Sequence, residues 1–449
     1  MVNPNQLGFF DHCHPKSATI NIRENHELMR LSDVVPWHEL IDVAQNIRLS
    51  KVKAATGPDP RYRELLGSVV LMAVRPVTFR EAEDLIAHYA PARYLCGLMD
   101  SNWSPDHITI FEFTQMLGPE GMMFLNRKVL GQAEDLGLLN PNKLMADTTA
   151  QEAKIPYPNE VGLMKRFAEM VSGAVKKAGG KFSEIKTKTK EVLKKVKALA
   201  RSSHLFAKDQ GQKSKVGKKM YHAVKDLHEL LGCVIGQAER KLHGKSSLEL
   251  ERLNQVMGKL LPQILYFLET GFVASKKIIH LQMSELYSIV RGKSGKSVEF
   301  GLKWGINQIS GFAMGFLMNS GNASDKKFCI QSIQEHIKMF GEAPEVFGFD
   351  RGGYSQKNVK RAKKLGVRHV GIAPTGKTPW PVSERKSEEI RRERAQVEGT
   401  IGVLKSRKFR FNKPDARSTQ SMETYGHRSF LGFNLCKTLR LLQTEVAYS

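Results

Sequence analysis

Cysteine is scarce in this chain. Five residues, Cys13, Cys96, Cys233, Cys329 and Cys436, are scattered over 449 positions with no Cys-x-x-Cys pair. That excludes a disulfide framework and predicts reduced thiols in a reducing compartment. His12-Cys13-His14 has no second ligand pair at zinc-finger spacing, so no zinc site is expected there. Long apolar runs are missing as well: the best uncharged candidate, Ile309 to Met318, is about half of the roughly 18 residues that a membrane span requires. The first residues carry neither a basic n-region nor an apolar h-region, so export is not expected and a soluble, intracellular chain is. Acidic residues are the third shortage, with 45 Asp and Glu against 69 Lys and Arg and a formal net charge of +24.

Such an excess predicts a polyanionic partner, nucleic acid or an anionic membrane surface. The excess is concentrated: Ala174 to Lys245 holds 19 basic residues against 6 acidic ones. A solvated helical face is the ordinary explanation of a basic stretch. Without compensating acids, contact with a phosphate backbone is the better one. The 41% apolar fraction excludes a disordered chain, and the length predicts about two to four domains.

Trp37 to Val52 fits one helix. Thr78-x-x-Glu81 has the capping-box pattern, opening a helix with Phe79, Ala82, Leu85 and Ile86 on one face between Pro76 and Pro91. Residues 58 to 140 read as a compact, mainly helical module. Lys143 to Thr149 reads as a buried strand. A helical pattern then runs for about 140 residues, with Leu250, Leu253, Val256, Met257, Leu260, Ile264, Phe267 and Leu268 at spacings of three and four and Pro262 as a kink. Strand signals resume at Val298. Val298, Phe300, Leu302, Trp304 and Ile306 alternate with Glu299, Gly301, Lys303 and Gly305, which predicts one buried face. Ser310-Gly311 then turns the chain into a second strand whose core includes Met314 and Met318. A helix capped by Ser324, a strand Val346 to Phe349, a helix near Ser355 to Leu365, a strand Val367 to Ile372 and a helix from about Ser387 to Lys405 complete the series. The expected fold class is α/β: a mixed sheet with an all-helical insertion after the first strand and an N-terminal helical domain. The order of three antiparallel strands followed by βαβ units is that of the ribonuclease-H-like fold.

Three acids fall where sheet chemistry is usually done: Asp147 at the end of the first strand, Asp350 after the strand Val346 to Phe349, and Glu398 on the late helix. Each has an ordinary alternative, respectively a cap or turn, an Asp-Arg-Gly-Gly turn and a surface acid. The late helix shifts the balance. Arg391, Arg394, Glu398 and Lys405 fall within an arc of roughly 60° at about 100° per residue, so one face carries a carboxylate flanked by cations. Gly399 and Gly402 on that helix suit either close approach of a nucleic-acid backbone or helix packing. Glu152 and Asp325 each read as a site contributor or a helix cap, with the cap the better reading for Asp325. Trp380 reads as packing on its own domain or stacking on an extruded base. Gly292-Lys293-Ser294-Gly295-Lys296 lacks phosphate-loop spacing and precedes a strand, so it is not a nucleotide site.

Arg394-x3-Glu398-x6-Lys405 matches the R, E and K of the Y-x2-R-x3-E-x6-K signature of insertion-sequence DDE transposases. The segments Ala146 to Glu152 and Phe349 to Ser355 resemble that family's first and second catalytic blocks, and Pro105-Asp106-His107 in its helical context is similar to its N-terminal domain. The resemblance spans about 58 to 442 and is weak through the basic helical section; the signature tyrosine is Arg391 here. It implies Asp147, Asp350 and Glu398 as catalytic metal ligands for Mg²⁺, with Mn²⁺ as a substitute and two ions at work. Three close carboxylates do not all stay ionised unaided, and hard divalent cations resolve that repulsion. It further implies Arg391, Arg394, Lys405 and Trp380 as DNA contacts and double-stranded DNA as partner, both element ends and target. A homodimer on DNA, no membrane, and a cytoplasmic, nucleoid-associated prokaryotic address also follow. The corresponding division is an N-terminal segment 1–57, a helical DNA-binding domain 58–142, a catalytic domain of 143–154 with 285–449, and a basic helical insertion 155–284. A catalytically inactive, transposase-derived DNA binder and a ribonuclease-H-like nuclease or resolvase are the alternatives.

Overall fold

The computed structural model describes residues 23–51, 59–178, 183–205, 209–238, 245–290, 298–318, 323–374 and 378–448. His12-Cys13-His14 and the segment Gly292 to Lys296 lie outside them, as does part of the basic stretch. The chain forms an α/β structure built on one mixed sheet of six strands.

Among the described residues six helices come first: α1 (Glu27–Val34), α2 (Trp37–Lys51), α3 (Tyr62–Val74), α4 (Phe79–His88), α5 (Ala90–Leu95) and α6 (His107–Asp135). The Thr78 and Glu81 capping box is formed, and Asp106 caps α6 by accepting from the Thr109 N–H at 2.7 Å. The expected boundary at residue 57 falls inside one core. Leu28, Leu40 and Ile47 pack with Leu66, Val70, Ile110 and Leu125, and the same core takes Leu431, Leu435 and Leu439 from the last helix, α14 (Thr419–Tyr448).

Strand β1 (Lys143–Glu152) is followed by four helices, α7 (Glu160–Ala178), α8 (Ser183–Leu205), α9 (Gln210–Ala238) and α10 (Lys245–Thr270). They enclose a core of their own, including Phe167, Val171, Val196, Met220, Val224, Leu253, Leu260 and Ile264. The apolar spacing read from the sequence supplies these core positions, and the lysines take the outside. Lys186, Lys188, Lys190, Lys194 and Lys195 are exposed on α8 and form no ion pair among the described residues, whereas Lys197 reaches Glu169 at 3.7 Å.

Strand signals do not wait until Val298. A short strand, β2 (Tyr287–Val290), precedes β3 (Val298–Ile309) and pairs with it antiparallel, Val290 opposite Val298. The hairpin to β4 (Phe312–Leu317) turns on Ser310 and Gly311, both at positive φ (50° and 81°), the type I′ geometry that matches strand twist. Next come α11 (Asp325–Phe340), β5 (Val346–Phe349), a 3-10 turn (Arg351–Gly353), α12 (Gln356–Lys364), β6 (His369–Ile372) and α13 (Glu384–Lys405). The strand order is β2-β3-β1-β5-β6 with β4 also on β3; β1 is antiparallel to β3 and parallel to β5, and β5 is parallel to β6.

Both faces of this sheet are covered, which corrects the expectation of one buried face on β3. Its small residues are packing positions: a methyl group at Gly305 would overlap the Phe316 ring. Leu144, Ala146, Phe347 and Phe349 point into one core with Phe328 and Ile333 of α11. Leu302, Trp304 and Ile306 point the other way, to Phe411 and to Met422 and Phe430 of α14, and Met145 meets Ile390 and Val397 of α13 on that side. Cys96, Cys233, Cys329 and Cys436 are free thiols. Among the described residues, no helix is long and apolar enough to cross a membrane.

Candidate active site

Alternation along β1 decides where Asp147 points. Met145 faces α13, so Asp147, two residues on, shares that face. Asp147 stands in the middle of a ten-residue strand opposite Ile306, not at the strand's end as the sequence suggested. It does lie beyond the last residue that β1 pairs with β5, Met145 opposite Gly348. Continuing that register brings Asp147 level with Asp350, which leaves β5 on the same face. The two aspartates thus lie side by side where the parallel pairing of β1 with β5 ends, a place that corresponds to the usual ligand crevice of an open α/β sheet.

Helix α13 supplies the third acid. Lys143 at the start of β1 grips it through Glu389 (2.9 Å) and Glu393 (2.8 Å), and the Lys143 ammonium is pushed up to about 12 by Glu393 first and Glu389 next. Gly348 and Gly371 let the helix sit close, since a methyl group at either would overlap Ile390. Glu398, two turns along, is exposed at the rim of a cavity of about 490 Å³. That cavity is also lined by Asp147, Asp350, Arg394, Lys303 and Asp325.

Burial raises Asp147 from an ordinary 3.8 to about 6; the Thr148 N–H (2.7 Å) and Arg394 pull it down, while Asp350 and Glu398 push it up. Asp350 is raised by burial first and by Asp325 next, with Arg394 and the Gly353 and Gly352 amides opposing. One oxygen of Asp350, Oδ1, is buried with no hydrogen-bond partner. Such an acceptor costs free energy unless a donor or cation reaches it. Hard carboxylate oxygens around an uncompensated acceptor suit a divalent ion such as Mg²⁺. Among the described residues, however, no three His, Cys, Asp or Glu side chains are gathered tightly enough to form a finished metal site.

The expected cap role of Asp325 is not what the structure shows. Asp325 follows the N-cap, Ser324, and its carboxylate accepts from Lys303 Nζ at 2.9 Å and from Thr148 Oγ1 at 2.9 Å. Lys303 is largely buried, 13% exposed, so this ion pair closes the floor of the cavity on its α11 side. The only sequence signal for Lys303 is a lysine among glycines on the small-residue face of β3. Glu152 lies outside the cavity, 3.9 Å from Lys413 Nζ. Lys405 is further along α13 and does not line the cavity. Trp380 packs against the Met145, Ile390 and Val397 cluster, and the Arg391 guanidinium lies 4.8 Å from its ring centroid. Gly399 and Gly402 face open space, which removes helix packing as their reason. No family model, curated protein or solved structure matches this chain.

Proposed function

We propose that this chain is a DDE transposase, which binds the terminal inverted repeats of its element, cuts there and joins the freed ends to target DNA. The observation that carries the reading is the pair Asp147 and Asp350 on one face of adjacent parallel strands, sharing a cavity with Glu398 and Arg394. The order β4-β3-β1-β5-β6, antiparallel then parallel, supports a ribonuclease-H-like catalytic fold with the four-helix unit inserted after its first strand.

In this reading Asp147, Asp350 and Glu398 hold Mg²⁺, or Mn²⁺ in its place, through hard oxygen donors. When bound, two such ions supply the charge that activates the attacking oxygen and stabilises the leaving oxygen of a phosphodiester. Arg394, close enough to lower both aspartates, holds the scissile phosphate as a fork. Arg391, stacked on Trp380, gives the strand a flat cationic rest beside the cavity, and Lys405 extends the contact along α13. Open space over Gly399 and Gly402 lets a DNA backbone approach that helix. The N-terminal helices and the lysine face of α8 recognise duplex DNA. Two element ends call for at least a homodimer on DNA, in the nucleoid of a prokaryotic host.

One observation favours a transposase-derived DNA binder without catalysis: the carboxylates are not drawn into a tight group. Changing Asp350 to Asn separates the readings. In the transposase reading it abolishes Mg²⁺-dependent cleavage of DNA carrying the inverted repeats and leaves binding and its salt dependence unchanged. Wild-type protein that never cuts such DNA with Mg²⁺ or Mn²⁺ decides for the binder.

A further inference from the structure

A second cavity, of about 310 Å³, lies between the N-terminal helices and α14. Its lining includes Arg428, which is only 3% exposed. Among the described residues Arg428 forms no ion pair; its guanidinium lies 4.3 Å from the Tyr425 ring centroid, and burial lowers its pKa, with Tyr425 opposing through charge and a hydrogen bond and Arg410 adding to the drop. A buried cation without a counter-charge is strongly unfavourable, and a stacked tyrosine offsets a small part of that. Arg417, exposed, adds a second cation at the mouth, and Thr78, Thr114, Ser421 and Thr424 add hydroxyls. Asp415, also in the lining, is engaged elsewhere, with Lys154 at 2.7 Å and Arg410 at 3.4 Å.

Phe79 and Phe111, edge to face at 5.4 Å, and Tyr425 make the rest of the wall aromatic. One buried cation and a second, exposed, at the mouth say anion, and three aromatic rings say a flat apolar body attached to it. We propose that this cavity binds one nucleotide, its phosphate on Arg428 and Arg417 and its base against Phe111 and Tyr425. The same chemistry fits a free mononucleotide and a single nucleotide unit of a DNA strand. It shares no lining residue with the cavity of Asp147, Asp350 and Glu398, and the inference stands whether or not the carboxylate cavity is catalytic.

Calorimetric titration of the full chain with thymidine 5′-monophosphate, thymidine, inorganic phosphate and a short single-stranded oligothymidylate tests it. The mononucleotide or the oligonucleotide binds, and thymidine and phosphate bind at least tenfold more weakly. Phe111→Ala weakens binding about tenfold or more, the loss of one base stack, and Arg417→Gln weakens it and flattens its salt dependence. Arg428→Met abolishes binding and raises the melting temperature of the free protein by removing an uncompensated buried charge. Binding of the oligonucleotide alone identifies the ligand as a strand; binding of both admits the free nucleotide. The proposal is overturned if neither binds, if phosphate alone matches the mononucleotide, or if Phe111→Ala and Arg417→Gln, both at exposed positions, leave affinity unchanged.

Discussion

Asp147 offers a test that needs no DNA. Its carboxyl is raised from 3.8 to about 6, chiefly by burial. The native state therefore holds the proton more tightly than the unfolded chain does between those two values. Stability falls as pH climbs through that window, and the full penalty is present above about pH 6. The gap corresponds to at most about 3 kcal/mol, before solvent at this half-buried position reduces it. Asp147→Asn keeps the shape and the bond from the Thr148 N–H and removes the charge. Without divalent ions at pH 8, it should melt higher than wild type by up to roughly 10 °C, given about 2–4 °C per kcal/mol for a unit of this size. At pH 4, where the native carboxyl is already protonated, the difference should vanish. Millimolar Mg²⁺ should raise the wild-type midpoint at pH 8 more than that of the variant, since an ion bound only to the native state stabilises it. Scanning calorimetry at the two pH values gives the answer. A variant that melts lower at pH 8, or gains equally at both pH values, refutes the account of Asp147 as a charge awaiting compensation.

Three further outcomes follow from packing and charge. Lys303→Met should cost about 1–3 kcal/mol in urea unfolding because it strands Asp325, and adding Asp325→Asn should recover most of it. Gly432→Ala puts a methyl group against the Ala73 backbone carbonyl, so it should cost more than about 2 kcal/mol and melt the N-terminal helices together with the sheet. Replacing Lys186, Lys190 and Lys194 by Gln should reduce the slope of log affinity for duplex DNA against log salt by about 0.9 for each lysine that touches a phosphate. An unchanged slope removes α8 from the proposed DNA interface.

The sheet was legible because its strands announce themselves locally. β3 alternates cleanly, β4 follows a two-residue turn marked by Gly311, and β5 runs into Asp350-Arg351-Gly352-Gly353. That Asp147, Asp350 and Glu398 line one cavity was partly readable, because strand alternation and one helix face are short-range geometry, although Asp147 stands in mid-strand and not at the expected end. Lys303 and Asp325 were not readable, since their pairing depends on how α11 lies across β3, 22 residues of chain away in a direction that no local pattern records. Arg428 is hidden for the same reason: burial of its charge is created by helices at the other end of the chain. The short strand β2 escaped because four residues are too few to show a period.

Helix α14 gives its Leu431, Leu435 and Leu439 to the N-terminal helices, and its Met422 and Phe430 to the sheet. During synthesis those early helices leave the ribosome with a hydrophobic groove that α14 fills, and they cannot close until the chain has been made through α14. An excised N-terminal fragment would carry the same raw groove and aggregate, so a helical unit cut out at residue 142 would need α14 grafted back to behave as a protein.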